Sequence, residues 1–343
     1  MTKRTGFCVA LGAVAALAIA PLAWPQAADA QDTTAITVIL PNPSALNVWP
    51  LHVAIGEGYM AEEGLDVTVH AVDGSAPVLQ AMSAGQAQIG LPGPAPLLAA
   101  RERGEDVVFI YNLNPKSIFG IVVREESDYQ QPADLKGKVI GVGTADGAEV
   151  GFARSILSAA GLEENTDYTF LPVGDGGTAA AAFERGDIEA YAAATSDAAI
   201  MTTRGLKLRE ITPDEFKAYF GNGFAAYRNY IEENPDVIEG FGRAVTRGMK
   251  FGMDPANRET ALRHSAAANP QEGEDAALAN ALFDQLLVKM DIGDQAEGYG
   301  YQEPANWETW QTTLLESGGL KEAQDLSQAF TNEFVEAWNA EGM

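Results

Sequence analysis

Three carboxylates, Asp146, Asp175 and Asp197, each stand between an apolar strand-like run and a helix-like run. An acid in that position either caps the following helix or faces a ligand. Each role is open for each acid alone. Three acids in equivalent loops point together toward one polar site. Asp146 lies in "GVGTADGAEVG" (141–151), a glycine-rich strand-to-helix turn of the kind that cradles a phosphate. The dinucleotide pattern G-x-G-x-x-G fails here, because Asp146 occupies the third glycine position after Gly141 and Gly143. Asp146 and Glu149 also carry the wrong sign for a phosphate. Thr144 adds a hydroxyl to the same turn. On this reading Asp146→Asn weakens a cationic or N–H-donating ligand and leaves or improves binding of an anion.

Other side chains suit a binding site better than a catalytic one. Trp49 sits among Pro and Asn residues and either stacks on a flat ligand or packs at a helix start. Ser75 follows Gly74 and reads as a helix cap whose hydroxyl can also hold a ligand oxygen. Pro94, in "LPGPAP" (91–96), stiffens a turn and suits a pre-shaped apolar wall, or simply joins strand to helix. Asn112 can reach a cleft floor, while Asn114 in "NLNP" also reads as a turn former. Asn42 completes the set. The histidines His52, His70 and His264 have no metal-motif spacing, and of these His52 lies nearest the candidate ligand region. Neither G-x-S-x-G nor a P-loop occurs. No catalytic residue, metal site or cofactor is expected.

The elements that hold these residues alternate. Strand patterns at 35–40, 65–72, 87–91 and 107–113 alternate with helix patterns at 49–60, 75–85 and 95–104. That order favours βαβ units and a mostly parallel sheet. The same plan recurs, with strands at 138–142, 168–173 and 187–193 and helices at 151–162, 178–186 and 197–205. From Val72 to Gly104 the two copies align without a gap at an offset of about 101 residues, pairing Gly85 with Gly186 and Gly104 with Gly205. The fold class is therefore α/β, with two lobes, each a mostly parallel sheet flanked by helices. Helical patterns at 234–252, 259–269, 275–290, 306–319 and 326–338 follow and are expected to pack around lobe one. Lobe one spans 31–114 and 226–343, and lobe two spans 115–225. Two crossings between lobes suggest a hinge.

Ligands of open parallel sheets sit beyond the carboxyl ends of the strands. Six loops are thereby nominated: 41–49, 73–75 and 91–95 from lobe one, and 143–147, 174–177 and 194–197 from lobe two. None contains Lys or Arg. The local charge favours a neutral polar ring, an amine or a zwitterion over a free anion.

The whole chain has 343 residues and a formal net charge of −26. That charge argues against nucleic acid or an anionic membrane surface as partner. Lys3 and Arg4, an apolar run from Phe7 to about Ala23 broken by Pro21, and "Ala28-Asp29-Ala30" read as a cleavable signal peptide over residues 1–30. Cys8, the one cysteine, falls in that leader behind "TGF", which lacks a lipoprotein pattern. The exported chain then holds no disulfide, thiolate metal site or cysteine nucleophile. Location in the periplasm and a monomeric state are expected.

Four segments carry a resemblance: "WPLHVAIGEGYMAEEGLDV" (49–67), "GSAPVLQAMSAGQAQIG" (74–90), "VVREESDYQQPADLKGKVIGV" (122–142) and "NPDVIEGFGRAV" (234–245). In that order the chain resembles the nitrate/sulfonate/taurine and thiamine-precursor family of periplasmic binding proteins. The resemblance implies a type II two-lobed clamp that captures a small-molecule solute for an inner-membrane ABC permease with its ATPase. A pyrimidine-type thiamine precursor or similar heterocycle is the leading ligand, with taurine, another sulfonate or nitrate as alternatives. The chain departs from the family at "ADGAE" (145–149) and at "ATS" (194–196), both in the expected cleft. The family likeness extends to eukaryotic pyrimidine synthases, which use a cysteine-rich motif and a histidine. A chain without cysteine beyond its leader does not fit that enzyme reading. A sensory receptor role is not separable from transport on sequence.

Overall fold

The computed structural model describes residues 1–3, 6, 33–217, 219–293 and 295–340. The apolar leader, its cleavage motif and Cys8 lie outside the described residues.

Ten strands form two five-stranded sheets. The first holds β1 (Thr34–Leu40), β2 (Leu65–Ala71), β3 (Ile89–Gly90), β4 (Val107–Tyr111) and β10 (Phe224–Tyr227), in the order β2-β1-β3-β10-β4. The second holds β5 (Phe119–Arg124), β6 (Lys138–Val142), β7 (Tyr168–Pro172), β8 (Ala190–Ala194) and β9 (Leu208–Glu210), in the order β7-β6-β8-β5-β9. The two orders are the same plan. In each sheet the fourth strand runs antiparallel to its neighbours and is the one laid down just after the chain crosses over. The crossings lie between β4 and β5 and between β9 and β10. Strands buried on both faces need no polar alternation, and β4, "VVFIY", is buried throughout.

The duplication holds down to backbone angles. Gly85 and Gly186 have φ of 70° and 74° at equivalent helix ends, where a left-handed residue closes the helix. Asn165, at φ 64°, is the one non-glycine with positive φ among the described residues. It stands 101 positions after Gly64, whose φ is 69°. Asparagine tolerates this region better than other side chains, so the turn survives the loss of glycine.

Two expectations about the C-terminal region need correction. Helix Pro304–Glu316 does not belong to lobe one alone. It packs against both helix Pro94–Glu102 and the lobe-two helix Ala148–Ala159. Trp310 meets Phe152 at 6.1 Å between ring centroids, and its Nε1 donates to the Phe220 carbonyl at 3.2 Å. One apolar core therefore runs through both lobes on this side. The run 326–338 is not one helix either. A short turn, Leu326–Gln328, and helix Val335–Asn339 flank an extended piece. In it Ala329 and Thr331 exchange backbone hydrogen bonds with Phe109 at 2.9 and 3.1 Å. That pairing covers the open edge of β4, which is a stronger demand than helix continuity.

Candidate ligand-binding site

A cavity of about 670 Å³ lies between the sheets, beyond the carboxyl ends of β1, β2, β6, β7 and β8. Five of the six nominated loops contribute to its wall. The sixth, 91–95, is taken up by the seam between lobes. Gly93 lies so close to Ala148 that a Cβ on Gly93 would overlap it.

Of the nine candidate residues, five line the cavity: Asn42, Ser75, Thr144, Asp175 and Asp197. Asn42 Oδ1 accepts from Asn47 Nδ2 at 3.3 Å, and the same Nδ2 donates across the seam to Ser196 Oγ at 3.2 Å. Ser75 is the first helical residue, not the cap, which is Gly74. Its hydroxyl oxygen instead accepts from the Gly93 N–H at 3.2 Å. Thr144 Oγ1 is buried without a protein partner.

The other four candidates sit outside the cavity wall. Trp49 is fully buried, edge-on to Phe283 at 5.2 Å. Its helix, Trp49–Gly56, packs on Pro235–Met253, so the tryptophan fills the core of lobe one. Pro94 opens helix Pro94–Glu102 behind the seam. Asn112 is buried on the first crossing, where its N–H donates to the Gly300 carbonyl at 3.0 Å. Asp146 faces a smaller, separate recess that Arg103 and Arg154 also line. His52 is buried too, and burial holds its imidazole down to about 4, so it stays neutral.

Asp197, Asp175 and Glu149 form the acidic heart of the site. Asp197 accepts from two backbone N–H groups, Gly176 at 3.1 Å and Ala194 at 3.2 Å. Gly176 opens helix Gly176–Arg185, and Ala194 precedes helix Thr195–Thr203. Glu149 folds back so that its Oε1 accepts from the Thr144 N–H at 3.3 Å, in front of its own helix Ala148–Ala159. Burial, with the charges of Asp175 and Glu149, pushes Asp197 up to about 8. Burial, with Asp175, pushes Glu149 up to about 7. Asp175 is also raised, by burial and then by Asp73.

The chain thus places its own carboxylates on amides at helix starts. Each helix N-terminus carries roughly half a positive charge and several free N–H donors, which is the usual way a fold holds an external anion. Here those donors already have an internal acceptor, the carboxyl group of Asp197.

Several wall residues carry no signal in the reading above. Glu272 and Asp275 come from the C-terminal helices and close the cavity from the side. Glu272 Oε2 accepts from the Leu46 N–H at 3.1 Å, tying that region to the first loop of lobe one. Asp275 caps helix Ala276–Met290 through the Ala277 and Leu278 N–H groups. Phe119 and Asn222 enter from the two crossings. Arg204, just past helix Thr195–Thr203, brings one cation to a wall with six carboxylates: Asp73, Glu149, Asp175, Asp197, Glu272 and Asp275. Asp73 belongs to the nominated loop 73–75, and Arg204 ends the helix pattern that Asp197 begins. The others gave no periodic or spacing signal. Among the described residues no group of three or more His, Cys, Asp or Glu is placed to hold a metal ion, and no helix is long and apolar enough to cross a membrane.

Two sheets of one plan, two crossings and a polar cavity at the strand ends define the two-lobed fold of periplasmic binding proteins. The alkanesulfonate-binding protein SsuA of Xanthomonas axonopodis, bound to MOPS, shares the fold at a TM-score of 0.68 and 18% identity, covering 87% of this chain and 98% of that one. The desulfurization enzyme DSZB shares it at 0.59 and 17%, covering 89% and 98%. The chain belongs to the NMT1/THI5-like family, whose model matches residues 45–257. Its relatives include the riboflavin-binding protein RibY of Chloroflexus aurantiacus, 27% identical over 328 residues, 92% of this chain and 91% of the relative. The formylaminopyrimidine-binding protein of Halalkalibacterium halodurans is 23% identical over 269 residues, 78% and 80% of the two chains.

Proposed function

We propose that this chain is the periplasmic substrate-binding component of an ABC importer and that it captures an uncharged or protonated nitrogen heterocycle, not a free anion. The observation that carries the reading is the occupation of the helix-start amides of Gly176 and Ala194 by Asp197, with Glu149 holding the Thr144 amide in the neighbouring turn. A sulfonate or nitrate would have to displace or approach these carboxylates. A ligand rich in N–H and O–H donors meets acceptors instead.

The names of the relatives support the same class, since one binds riboflavin and another a formylaminopyrimidine. The volume favours the larger member. A site of about 670 Å³ is mid-range for a drug-sized ligand and exceeds the needs of one pyrimidine ring. Phe119, Ile200 and Leu278 supply apolar wall for a ring. The export reading of residues 1–30 supports capture outside the inner membrane, with a membrane permease as the delivery partner. A binding role fits better than an enzymatic one, because the polar residues of the cavity wall are acids, amides, hydroxyls and one arginine, with no cysteine or histidine among them.

Calorimetry of the refolded, ligand-free protein at pH 7 tests the reading. Riboflavin and formylaminopyrimidine are expected to bind, riboflavin the more tightly, while nitrate and ethanesulfonate give no heat. Tight nitrate or sulfonate binding with no response to either heterocycle would overturn it.

A further inference from the structure

We propose that Asn222 determines specificity in this site, its side-chain oxygen accepting a hydrogen bond from a ring N–H of the ligand. The proposal rests on the heterocycle reading and deepens it, from a class of ligand to the edge of the ligand that is read.

Asn222 lies on the return crossing, just before β10, and lines the cavity at 6% exposure. Its orientation is set from behind. Nδ2 donates to the Leu91 carbonyl at 3.4 Å, and its own backbone carbonyl accepts from Asn114 Nδ2 at 3.1 Å. Turning the amide over would set Oδ1 against the Leu91 carbonyl, oxygen to oxygen. Oδ1 is therefore left buried with no partner in the protein. Buried polar atoms are almost always paired, and an unpaired one costs enough to need a reason. A ligand N–H would complete this one.

Thr144 Oγ1 is the second unpartnered polar atom of the wall, and it follows β6 of the second sheet, whereas Asn222 adjoins β10 of the first, so the two face the cavity from different lobes. It faces Gly74 closely, 2.7 Å from where a Cβ would stand. One lobe thus offers a fixed acceptor and the other a hydroxyl that can donate or accept. An imide or amide edge, with N–H beside C=O, matches that pair. A sulfonate, with acceptors only, leaves Asn222 Oδ1 unmatched. A hydrophobic wall would tolerate either, whereas a polar wall discriminates strongly against a ligand that lacks the matching group.

The test uses riboflavin and its N3-methyl derivative, which has lost the imide N–H, with flavin fluorescence quenching as the readout. Wild-type protein is expected to bind riboflavin at least 10-fold more tightly than the methylated flavin. Asn222→Leu is expected to weaken riboflavin by about 10- to 100-fold and to erase the preference. Thr144→Val, which keeps the side-chain size on the other lobe, is expected to weaken riboflavin while the preference for the N–H form persists. Circular dichroism melting confirms folding of each variant, and Asn222→Ser replaces the leucine if that variant does not fold. Flavin binding with the preference unchanged in the Asn222 variant overturns this assignment alone. Failure of wild-type protein to bind either flavin or formylaminopyrimidine overturns the heterocycle reading and this assignment with it.

Discussion

Asp197 Oδ1 accepts a hydrogen bond from the backbone N–H of Gly176 at 3.1 Å, so a carboxylate from one helix sits on the first amide of the next. Its proton equilibrium links the site to solution pH. Asp197 rises to about 8 and Glu149 to about 7, both through burial first and neighbouring carboxylates second. Both then hold protons in the folded chain that the unfolded chain, near pH 4, releases. Raised carboxylates stabilise the fold fully below the unfolded value and lose that contribution as pH climbs through the folded value. Between pH 5 and pH 8 the ligand-free protein is expected to lose on the order of 5 kcal/mol of stability, at about 1.4 kcal/mol per pH unit for each group protonated only in the folded chain. Differential scanning fluorimetry should show Tm falling across this range. Asp197→Asn should flatten the profile. A Tm that rises from pH 5 to pH 8 would contradict the assignment.

The same carboxylates decide what charge the site accepts. Glu149→Gln combined with Asp197→Asn replaces two acids that a nearby anion would have to keep protonated with amides of the same shape that cannot ionise. The double variant is expected to gain binding of ethanesulfonate that the native chain lacks. An asparagine oxygen can hold only one of the two amides that Asp197 now holds, so the N–H of Gly176 or Ala194 is freed and no negative charge opposes the helix dipole. Titration calorimetry at pH 7 and low salt measures it. An unchanged absence of heat would mean that the wall lacks room or donors for an anion.

Asp146 behaves differently from the expectation drawn from its turn. It faces the recess with Arg103 and Arg154 and is absent from the main cavity wall. Asp146→Asn is therefore expected to change heterocycle affinity less than about 3-fold, the scale of a screened charge outside the site. A 10-fold loss in calorimetry would place the ligand nearer that turn than the cavity does.

The alternation of strands and helices in each half, the duplicated plan and most of the cleft loops were legible because they depend on local signals, whereas the crossing strands β5 and β10 and the edge strand β9 were not. Short apolar runs mark β4 and β6, and glycines at equal offsets mark the helix ends. Trp49 was not legible in the same way. Its Pro and Asn neighbours suggest an exposed loop, but Leu46, Val48 and Leu51 beside it are all buried, and the whole turn sinks into lobe one. Glu272 and Asp275 were hidden for another reason. A helical pattern at 275–290 states that a helix exists, while tertiary packing alone brings its start to a cleft built from loops far away in sequence. Asn222 lies in an irregular crossing, where no period operates.

Gly252 shows how tightly Trp49 is held. It lies on helix Pro235–Met253 against the tryptophan ring, and a Cβ there would overlap Cζ3. Alanine raises helix propensity by about 1 kcal/mol, but the ring has no free volume to move into. Gly252→Ala is expected to destabilise the protein by about 1–3 kcal/mol through overpacking. Urea unfolding followed by tryptophan fluorescence reads this directly, and an unchanged or higher midpoint would show that the ring can shift.

Gly93 offers a test of closure itself. It precedes helix Pro94–Glu102 with φ −83° and ψ 164°, angles open to any residue, so alanine there carries no backbone strain. Its missing Cβ leaves room for Ala148, the first residue of the lobe-two helix. Gly93→Ala would put two methyl groups in one place only when the lobes are together, and its methyl would stand 3.2 Å from Asn222 Oδ1, a tight contact that the Asn222→Leu variant controls for. The substitution is therefore a wedge: it is silent when the lobes part and costly when they meet. The stability of the ligand-free protein should change by less than about 0.5 kcal/mol, as for a substitution outside a packed core. Riboflavin affinity should fall by about 10-fold or more, because binding then has to offset the clash. Small-angle scattering should show that riboflavin compacts the native chain and compacts the variant less. Full compaction of Gly93→Ala with native affinity would mean that the seam at Gly93 and Ala148 does not govern closure.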